Sequence, residues 1–442
     1  MLAWKPAELI ADDRAPVLGE LSVGRSSSCR WCVRDERLSR RHFSLTPLGS
    51  DPERFCLVDC GSRNGTHLGG QRVTSPVEVG PGAVIRAGGC VFVVVASLDD
   101  LAPPSADQGS SEMAGAFWAA ELDRRLRVAA RTGRHILLSG ESGTGKEIAA
   151  RRLHQLYSEP AGGRPYVVHN AACFAGEDDA VSHLFGVVRG AFTGVEPRTG
   201  ALELAQGGTL FLDEAHALPL RVQRSLLRFV EDGLVQPLGH GAPVKQRSLS
   251  VRLVLSTNLP IERACEEGQL AHDLVARLHV VVIPALRERR ADIPAIFRHI
   301  IGSALAPPAA AAVTAALTAP VLERLCLHDF RRGNVRELVD LVALVGAQID
   351  EGMPPEEALS TALDQLIPEI PAAPPQPLGA VHDPGNSFYE QHRRTIIAAF
   401  EAAGGNLSKT EQALKAEGVH CTRRWLAEFL DTWGVRPINR RR

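Results

Sequence analysis

The first chemistry visible in this sequence lies in a glycine-rich segment between Gly140 and Lys146. The segment fits the pattern G-x-x-x-x-G-K, follows an apolar strand-like run and precedes a helix-like run. Glycines let backbone N–H groups turn inward around phosphates, and the lysine adds a positive charge against the outer phosphates. The segment therefore predicts a nucleoside triphosphate site. The predicted binding residues are Gly140, Glu141, Ser142, Gly143, Thr144, Gly145, Lys146 and Glu147.

Two acids, Asp213 and Glu214, end a second apolar strand-like run. Asp213 is placed to hold Mg²⁺, directly or through water, and Glu214 to orient and polarise an attacking water. Glu147 stands where such loops usually carry a Ser or Thr for the metal, so Asp213 is the predicted metal ligand. A third strand-like run ends in Thr257 and Asn258, which are placed to sense the terminal phosphate. The alternative for the paired acids is a solvated strand end.

An open α/β sheet would bring these residues to one edge. Apolar strand-like runs alternate with helical runs over residues 114–284, which is typical of a mostly parallel sheet. Residues 285–366 read as helices and predict a lid on that domain. The predicted architecture of this part is therefore a P-loop α/β domain with a helical lid.

Two linkers divide the rest of the chain. Residues 1–98 alternate short β-like runs with glycine turns, which predicts a small all-β sandwich. Residues 99–113 are small, polar and proline-bearing, and residues 367–386 are dense in proline, so both predict linkers. Residues 387–442 read as three short helices, an all-α helix-turn-helix candidate. The predicted fold class is multidomain.

Composition describes a globular protein, with 45% hydrophobic and 23% charged residues among 442 and a formal net charge of −2. No apolar run is long enough to cross a bilayer, and the N-terminus lacks the pattern of a signal peptide. We therefore expect a cytoplasmic protein with no membrane partner. Nine cysteines do not suggest a disulfide framework. The pairs Cys29/Cys32 and Cys56/Cys60 have a spacing seen in metal sites, but buried thiols in strands are the favoured interpretation.

Five motifs in a fixed order make a family resemblance specific. They are Gly140–Glu147, Gly190–Val195, Gly207–Glu214, Leu286–Ile293 and Gly333–Leu338. Together they resemble the central AAA+ domain of bacterial enhancer-binding proteins, the activators of sigma-54 RNA polymerase. The resemblance implies ATP and Mg²⁺ as cofactors and a homo-oligomeric ring assembled from dimers. It also implies that hydrolysis remodels the polymerase closed complex, and that a glutamate after the loop lysine is usual.

The resemblance assigns the loop 190–195 to contact with the sigma factor. Glycines at both ends free this loop, and Phe192 and Thr193 offer an apolar and a polar contact. A buried turn remains the alternative. By the same resemblance, Asn170 links the catalytic glutamate to the nucleotide state, and Arg336 in the lid reads the phosphates.

One departure from the family concerns the arginines that reach into a neighbouring subunit's site. The family presents two, six residues apart; here the second is Arg277, but Ala271 takes the first position. Such arginines are worth roughly 10³-fold or more in rate. Two functions therefore stay open: an active ATPase that rests on Arg277, or a phosphopeptide-gated DNA-binding regulator that binds ATP and hydrolyses it poorly.

Three polar clusters lie in predicted loops of the front domain: Gly24–Ser26, Ser39–His42 and Ser62–Thr66. An arginine, a serine and an asparagine at one end of a sandwich form a phosphate clamp. The alternative is a sandwich whose loops merely carry turn residues. The spacing resembles the forkhead-associated (FHA) domain, a reader of phosphothreonine peptides or proteins. That resemblance places Arg25 and Ser39 on the phosphate, Arg40, Arg63 and Asn64 along the peptide, and His42 behind the loop.

The tail resembles a Fis-type DNA-binding domain through the segment Phe400–Lys409. Helices are predicted over 388–403, 409–416 and 422–432. Thr422, Arg423 and Arg424 open the last of these, where side chains of a recognition helix reach bases or phosphates of upstream double-stranded DNA. A three-helix dimerisation unit with a basic end is the alternative.

Overall fold

A computed structural model describes residues 2–4, 15–17, 19–48, 53–96, 118–158, 163–188, 197–236, 247–368, 396–403, 405–416 and 426. The chain forms two compact units, Met1–Pro375 and Gln376–Arg442. Several predicted features lie outside the described residues. They are Phe192, Thr193, the linker 99–113, and the recognition residues Thr422, Arg423 and Arg424.

The front domain is a sandwich of two five-stranded sheets. Its strands are β1 (Leu2–Trp4), β2 (Leu21–Gly24), β3 (Trp31–Cys32), β4 (Phe43–Pro47), β5 (Phe55–Asp59), β6 (Thr66–Leu68), β7 (Gln71–Arg72), β8 (Val77–Val79), β9 (Val84–Ala87) and β10 (Cys90–Val93). One sheet has the order β1-β10-β9-β6-β7 and the other β3-β2-β4-β5-β8. Phe43 and Phe92 meet edge-on between the sheets with ring centroids 5.2 Å apart. The predicted all-β sandwich is confirmed.

The central domain is built on a five-stranded parallel sheet of order β12-β13-β16-β11-β17. Its elements are α1 (Trp118–Arg131), β11 (Ile136–Ser139), α2 (Lys146–Ser158), β12 (Tyr166–Asn170), α3 (Glu177–Phe185), α4 (Ala201–Leu204), β13 (Thr209–Asp213), α5 (Leu220–Asp232), β14 (Leu234–Val235), β15 (Arg247–Ser248), β16 (Arg252–Thr257), α6 (Ile261–Glu266), α7 (His272–Arg277) and β17 (His279–Val282). Strands β11 and β16 are buried along their whole length, because helices cover both faces of a parallel sheet. The carboxyl ends of the strands therefore meet at one edge, as the sequence predicts.

The lid consists of five helices around one apolar core. They are α8 (Ile293–Ala304), α9 (Pro307–Ala316), α10 (Ala319–Leu327), α11 (Val335–Asp350) and α12 (Pro355–Leu366). Ile367, predicted to open the second linker, is instead 1% exposed, and its carbonyl accepts a hydrogen bond from Arg324 Nε at 2.6 Å. The lid therefore extends one residue further, because an isoleucine there completes its core. Among the described residues no single helix is long and apolar enough to span a membrane; α9 and α10 pass that test only as a pair bent by 88°.

The tail is described in two helical pieces, residues 396–402 and α13 (Leu407–Ala416). The second helix begins two residues before the predicted Lys409. The side-chain oxygen of Asn406 accepts hydrogen bonds from the N–H groups of Ser408 and Lys409, at 3.0 and 3.2 Å. Such an asparagine cap supplies partners for the free N–H groups of a first turn and fixes where the helix begins.

Candidate functional sites

The phosphate-binding loop leaves buried strand β11 and enters helix α2. Gly143 and Gly145 have φ of 75° and 100°, a region that favours glycine. A Cβ on Gly143 would lie 1.9 Å from the carbonyl oxygen of Gly333, because the lid backbone crosses the loop at that point. The two glycines are thus required by the loop's shape and by its contact with the lid.

Lys146 lies at the centre of a cluster of charges. It is 9% exposed, and its Nζ donates to the carbonyl oxygens of Gly140 and Glu141 at 2.8 and 2.9 Å. Burial lowers the pKa of Lys146 from its ordinary value, and the positive charge of Arg336 adds to this, whereas Asp213 and Glu214 oppose it. The fold therefore brings the loop lysine, the two strand-end acids and the lid arginine within electrostatic reach of one another.

The acidic pair is held in a fixed arrangement at the end of β13. Asp213 Oδ1 accepts a hydrogen bond from the buried Ser256 hydroxyl and another, at 3.1 Å, from the N–H of Glu214. Glu214 has φ 54° and ψ 45°, the left-handed region that non-glycine residues seldom adopt. Strain of this kind is concentrated at functional sites. Ser256, which the sequence did not single out, orients the predicted metal ligand from the neighbouring strand β16.

Asn258 and Thr257 at the end of β16 differ in role. Thr257 is fully buried; its hydroxyl accepts from the N–H of Leu259 at 3.1 Å and lies 3.3 Å from His216 Nδ1. The side-chain oxygen of Asn258 is buried and has no hydrogen-bond partner within the described residues. A buried oxygen without a hydrogen bond is energetically unfavourable, and a polar partner would satisfy it. Asn258 is therefore the member of the pair that fits a bound nucleotide and its water.

The residues present fit Mg²⁺ and ATP. Lys146 lies against the glycine loop, and the positive charge of Arg336 acts on Lys146. A carboxylate suited to Mg²⁺ stands at the strand end as Asp213. Glu147, which is not needed for the metal, is exposed and forms an i,i+4 ion pair with Arg151 at 3.1 Å.

Asn170 ends β12 and pairs in register with Asp213. This register brings it to the same edge as the acids. Its side-chain oxygen accepts from the N–H of Ala172 at 2.8 Å and so caps the following turn. Among the described residues, the hydrogen bonds do not join Asn170 to Glu214, so its predicted linking role stays a prediction.

A lid clamp holds the phosphate loop, and its individual members were not predicted. Asn334, 1% exposed, donates to Ser142 O at 2.9 Å and to Glu141 Oε2 at 3.2 Å, and it accepts from the N–H of Leu286 at 2.8 Å. Arg287 also binds Glu141, with Nη1–Oε2 at 2.8 Å. Hydrogen bonding to Arg287 lowers the pKa of Glu141. The sequence signal for Arg287 and Asn334 lay in the motifs Leu286–Ile293 and Gly333–Leu338, which the fold brings to the phosphate loop.

Arg277 lies at the opposite edge of the sheet from Lys146. It comes just before β17, whose first residue, His279, pairs with Ile136 at the start of β11, whereas Lys146 follows the end of β11. Arg277 Nε lies 2.5 Å from Glu231 Oε1. A residue at the amino ends of the strands is out of reach of its own phosphate loop, so the predicted role of Arg277 in a neighbouring subunit stays a prediction.

Ala271 is anchored in the domain. It is partly buried against the core, and its N–H donates to Gln223 Oε1 at 2.8 Å. The position therefore offers neither a charge nor a mobile side chain.

A short β-bridge joins the described residues on either side of 189–196, the stretch that contains Phe192 and Thr193. Val187 and Arg198 exchange two backbone hydrogen bonds, at 2.9 and 3.0 Å. Gly200 beside the bridge has no room for a side chain, since a Cβ would lie 2.5 Å from the carbonyl carbon of Phe185. The base of the loop is thus closely packed.

The front-domain clusters meet as three adjacent loops. The N–H of Arg25 donates to Ser39 O at 3.0 Å, and the N–H of Arg63 donates to Ser39 Oγ at 3.0 Å. Asn64 Nδ2 donates to the carbonyl oxygen of Arg37 at 2.6 Å. The fold leaves four of the predicted residues exposed around the partly buried Ser39. They are Arg25, Arg40, Arg63 and Asn64.

His42 joins two of these loops from below. It is fully buried; its Nδ1 accepts from the N–H of Ser39 at 3.0 Å, and its Nε2 lies 3.2 Å from Gly65 O. The ring is therefore neutral, with the proton on Nε2. Burial lowers the pKa of His42, and the nearby Asp59 and Asp35 oppose that shift. The FHA resemblance implies that His42 lies behind the loop, which is where these two contacts hold the ring.

Comparison with known families now adds to this geometry. The model of the sigma-54 interaction domain matches residues 117–284, and the model of the FHA domain matches residues 21–88. The fold defines the class of protein: a P-loop α/β domain with a helical lid, preceded by a β-sandwich. The central domain belongs to the sigma-54 interaction domain family, the front domain is an FHA domain, and the predicted family is confirmed.

The chain is also similar to individual regulatory proteins. NtrC of Salmonella typhimurium is 42% identical over 206 residues, 46% of this chain and 42% of the relative. The Nif-specific regulatory protein of Azotobacter vinelandii is 35% identical over 294 residues, 66% of this chain and 53% of the relative. The chain thus spans about half the length of these relatives. The crystal structure of NtrX from Brucella abortus in complex with ATP is 28% identical, covers 72% of this chain and 67% of its own, and has a TM-score of 0.44.

Proposed function

We propose that this protein is an ATP-driven transcriptional activator that binds upstream DNA and remodels closed complexes of sigma-54 RNA polymerase. The observation that carries the proposal is the cluster of Lys146, Asp213, Glu214 and Arg336 around the phosphate loop. This cluster lies in a domain that matches the sigma-54 interaction family. Recognition of phosphothreonine by the FHA domain regulates the activity.

Each member of the cluster has a distinct task. Mg²⁺ held by Asp213 would neutralise charge that develops on the phosphates. Lys146 and Arg336 bind the outer phosphates from the loop and from the lid. Glu214 holds and polarises the attacking water, and Asn258 senses the terminal phosphate through its buried amide oxygen.

Hydrolysis needs a neighbouring copy. Because Arg277 lies across the sheet from its own phosphate loop, we assign it to the site of the next subunit. A homo-oligomeric ring satisfies this requirement. Arg277, in its ion pair with Glu231, is exposed at the surface of its own subunit.

The FHA loops supply the phosphate clamp. Arg25 and Ser39 take the phosphate, while Arg40, Arg63 and Asn64 line the peptide site. Two observations support this assignment. The hydroxyl and the carbonyl oxygen of Ser39 each accept a hydrogen bond from another loop, and the three arginines are exposed at the surface. The tail residues Thr422, Arg423 and Arg424 bind the DNA.

The sigma contact is tested at Phe192. We expect Phe192→Ala in the full chain to keep ATP hydrolysis and to lose binding to purified sigma-54, because the side chain forms the contact and not the nucleotide site. Val128→Ala is the control, since Val128 is 50% exposed on α1, outside the loop. Sigma-54 binding by Phe192→Ala equal to that of the control rules out the loop as the contact.

A second function is favoured by one observation. Ala271 supplies no charge where the family has an arginine. In this second function, the chain is a phosphopeptide-gated DNA-binding regulator that binds ATP and hydrolyses it poorly. Turnover by Ala271→Arg beside the natural chain separates the two functions.

A further inference from the structure

The FHA domain packs against the lid through the sheet that contains β9 and β10. Val84 of β9 and Val91 of β10, both about fully buried, belong to the apolar core that the lid helices share. Helix α10 packs against both strands, and its Leu322 and Leu325 belong to the same core. Burial of apolar surface favours this contact, but because the hydrophobic effect is not directional it gives the contact little specificity.

A buried carboxylate gives the contact its specificity. The Glu323 side chain on α10 is 5% exposed; it accepts from Arg86 Nε at 2.5 Å and from the N–H of Gly70 at 3.0 Å. Gly69 and Gly70 both have positive φ in the two-residue turn between β6 and β7, a geometry that glycine permits. Removing one partner of a buried ion pair leaves an uncompensated charge, so this contact depends strongly on both.

Helix α10 is connected in turn to the phosphate loop. One helical turn after Glu323, the carbonyl oxygen of Cys326 accepts from Arg290 Nη1 at 3.0 Å. Arg289, in the same short segment, donates to Thr144 O of the phosphate loop at 2.8 Å and is almost completely buried. The position of α10 is thus tied by hydrogen bonds to the backbone of the nucleotide site.

The other end of the connection reaches the phosphopeptide loops. Strand β6 begins at Thr66, directly after the loop of Arg63 and Asn64, and leads into the turn that contains Gly70. Thr66 Oγ1 donates to Asp59 Oδ1 at 2.6 Å, which fixes the start of the strand. One short strand therefore separates the peptide-reading loops from the lid contact.

We propose that the FHA domain is a lid-docked regulator: the Arg86–Glu323–Gly70 contact holds the lid against the phosphate loop and couples the FHA domain to nucleotide affinity. The coupling rests on the proposed nucleotide site. Because coupling between two sites is reciprocal, a ligand that changes the docked FHA domain changes nucleotide affinity, and nucleotide acts back on the FHA domain by the same factor.

The test uses the full chain with Arg86→Met, Glu323→Gln and the exchanged pair Arg86→Glu/Glu323→Arg. The matched control is Arg54→Met, because Arg54 forms a similar ion pair with Glu78 at 2.6 Å within the other FHA sheet. Two readouts are taken: hydrogen exchange of the segment 66–72, and affinity for a fluorescent ADP. Both single variants should exchange faster there and bind ADP at least roughly fivefold more weakly. The control should match the natural chain, and the exchanged pair should recover part of the affinity.

Each alternative outcome has a distinct signature. Unchanged exchange in both single variants overturns the docking. Faster exchange with unchanged ADP affinity overturns the coupling. If the natural chain itself fails to bind ADP, the proposed nucleotide site is wrong and the coupling with it, while hydrogen exchange still decides whether the FHA domain is docked.

Discussion

At the scale of single residues, the two sites use opposite electrostatic strategies. The nucleotide site gathers charges around Lys146, whose burial lowers its pKa while two acids oppose that shift. The FHA site instead rests on a neutral ring, because His42 accepts one hydrogen bond from the protein and its other nitrogen faces a carbonyl oxygen. The first arrangement is suited to the phosphates of the proposed nucleotide, and the second fixes the loops that we assign to phosphopeptide binding.

The state of His42 predicts a dependence on pH. Burial lowers its pKa in the folded chain below the unfolded value of about 6.5. The unfolded chain therefore takes up a proton first as pH falls, so the stability that neutral His42 contributes is complete above about pH 6.5 and is lost progressively below it. We expect the hydrogen-exchange protection factor of the Ser39 amide to fall between about pH 6.5 and 5.

The control for this prediction is His42→Gln. Glutamine keeps an acceptor but does not titrate in this range, so its Ser39 protection factor should be lower overall and independent of pH. A protection factor in the natural chain that stays constant down to about pH 5 contradicts the assignment of His42 as the titrating group.

At the scale of secondary-structure elements, the lid is fastened to the phosphate loop at the start of α11. Asn334 has φ 50° and ψ −121°, a region that favours glycine, and it is held there by its hydrogen bonds to the loop and to Leu286. Side-chain hydrogen bonds hold this asparagine in a strained backbone conformation, so they form a specific connection between the lid and the phosphate loop.

Replacing Asn334 tests this connection. Asn334→Ala removes the acceptor of the Leu286 N–H, and we expect the free energy of local opening at that amide to fall by about 1–3 kcal/mol. Native-state hydrogen exchange of Leu286 measures it directly. Asn334→Asp keeps the acceptor but loses the donor to Ser142 O, so Leu286 should stay protected. Equal exchange in the natural chain and in Asn334→Ala rules against the clamp.

The sequence predicts those elements whose local pattern determines them. The glycines, Lys146 and the strand-end acids carry their chemistry in adjacent residues, and the parallel sheet follows from alternating apolar runs. Two boundaries differ by one or two residues from the prediction, at Ile367 and at the start of α13, since each depends on one side chain that packs or caps. Ser256 and Asn334 were missed because their partners come from other strands or from the lid.

At the scale of the whole molecule, the contact of the FHA domain with the lid carries no sequence signal. Arg86, Gly70 and Glu323 are ordinary surface residue types, and only the fold brings them together. The same holds for Arg277, whose place across the sheet from the phosphate loop follows from strand register. Under the two proposals, nucleotide affinity depends on the FHA domain, and hydrolysis depends on Arg277 of a neighbouring copy.

The central proposal is that this chain, as a homo-oligomer, hydrolyses ATP. Steady-state phosphate release by the full chain is compared with that of Lys146→Ala, Glu214→Gln and Ala271→Arg. We expect turnover by the natural chain, a loss of roughly 10²-fold or more in Glu214→Gln with ATP binding retained, and loss of binding in Lys146→Ala. Release by the natural chain no faster than by Lys146→Ala contradicts the account, and recovery in Ala271→Arg alone would establish the poorly hydrolysing regulator in its place.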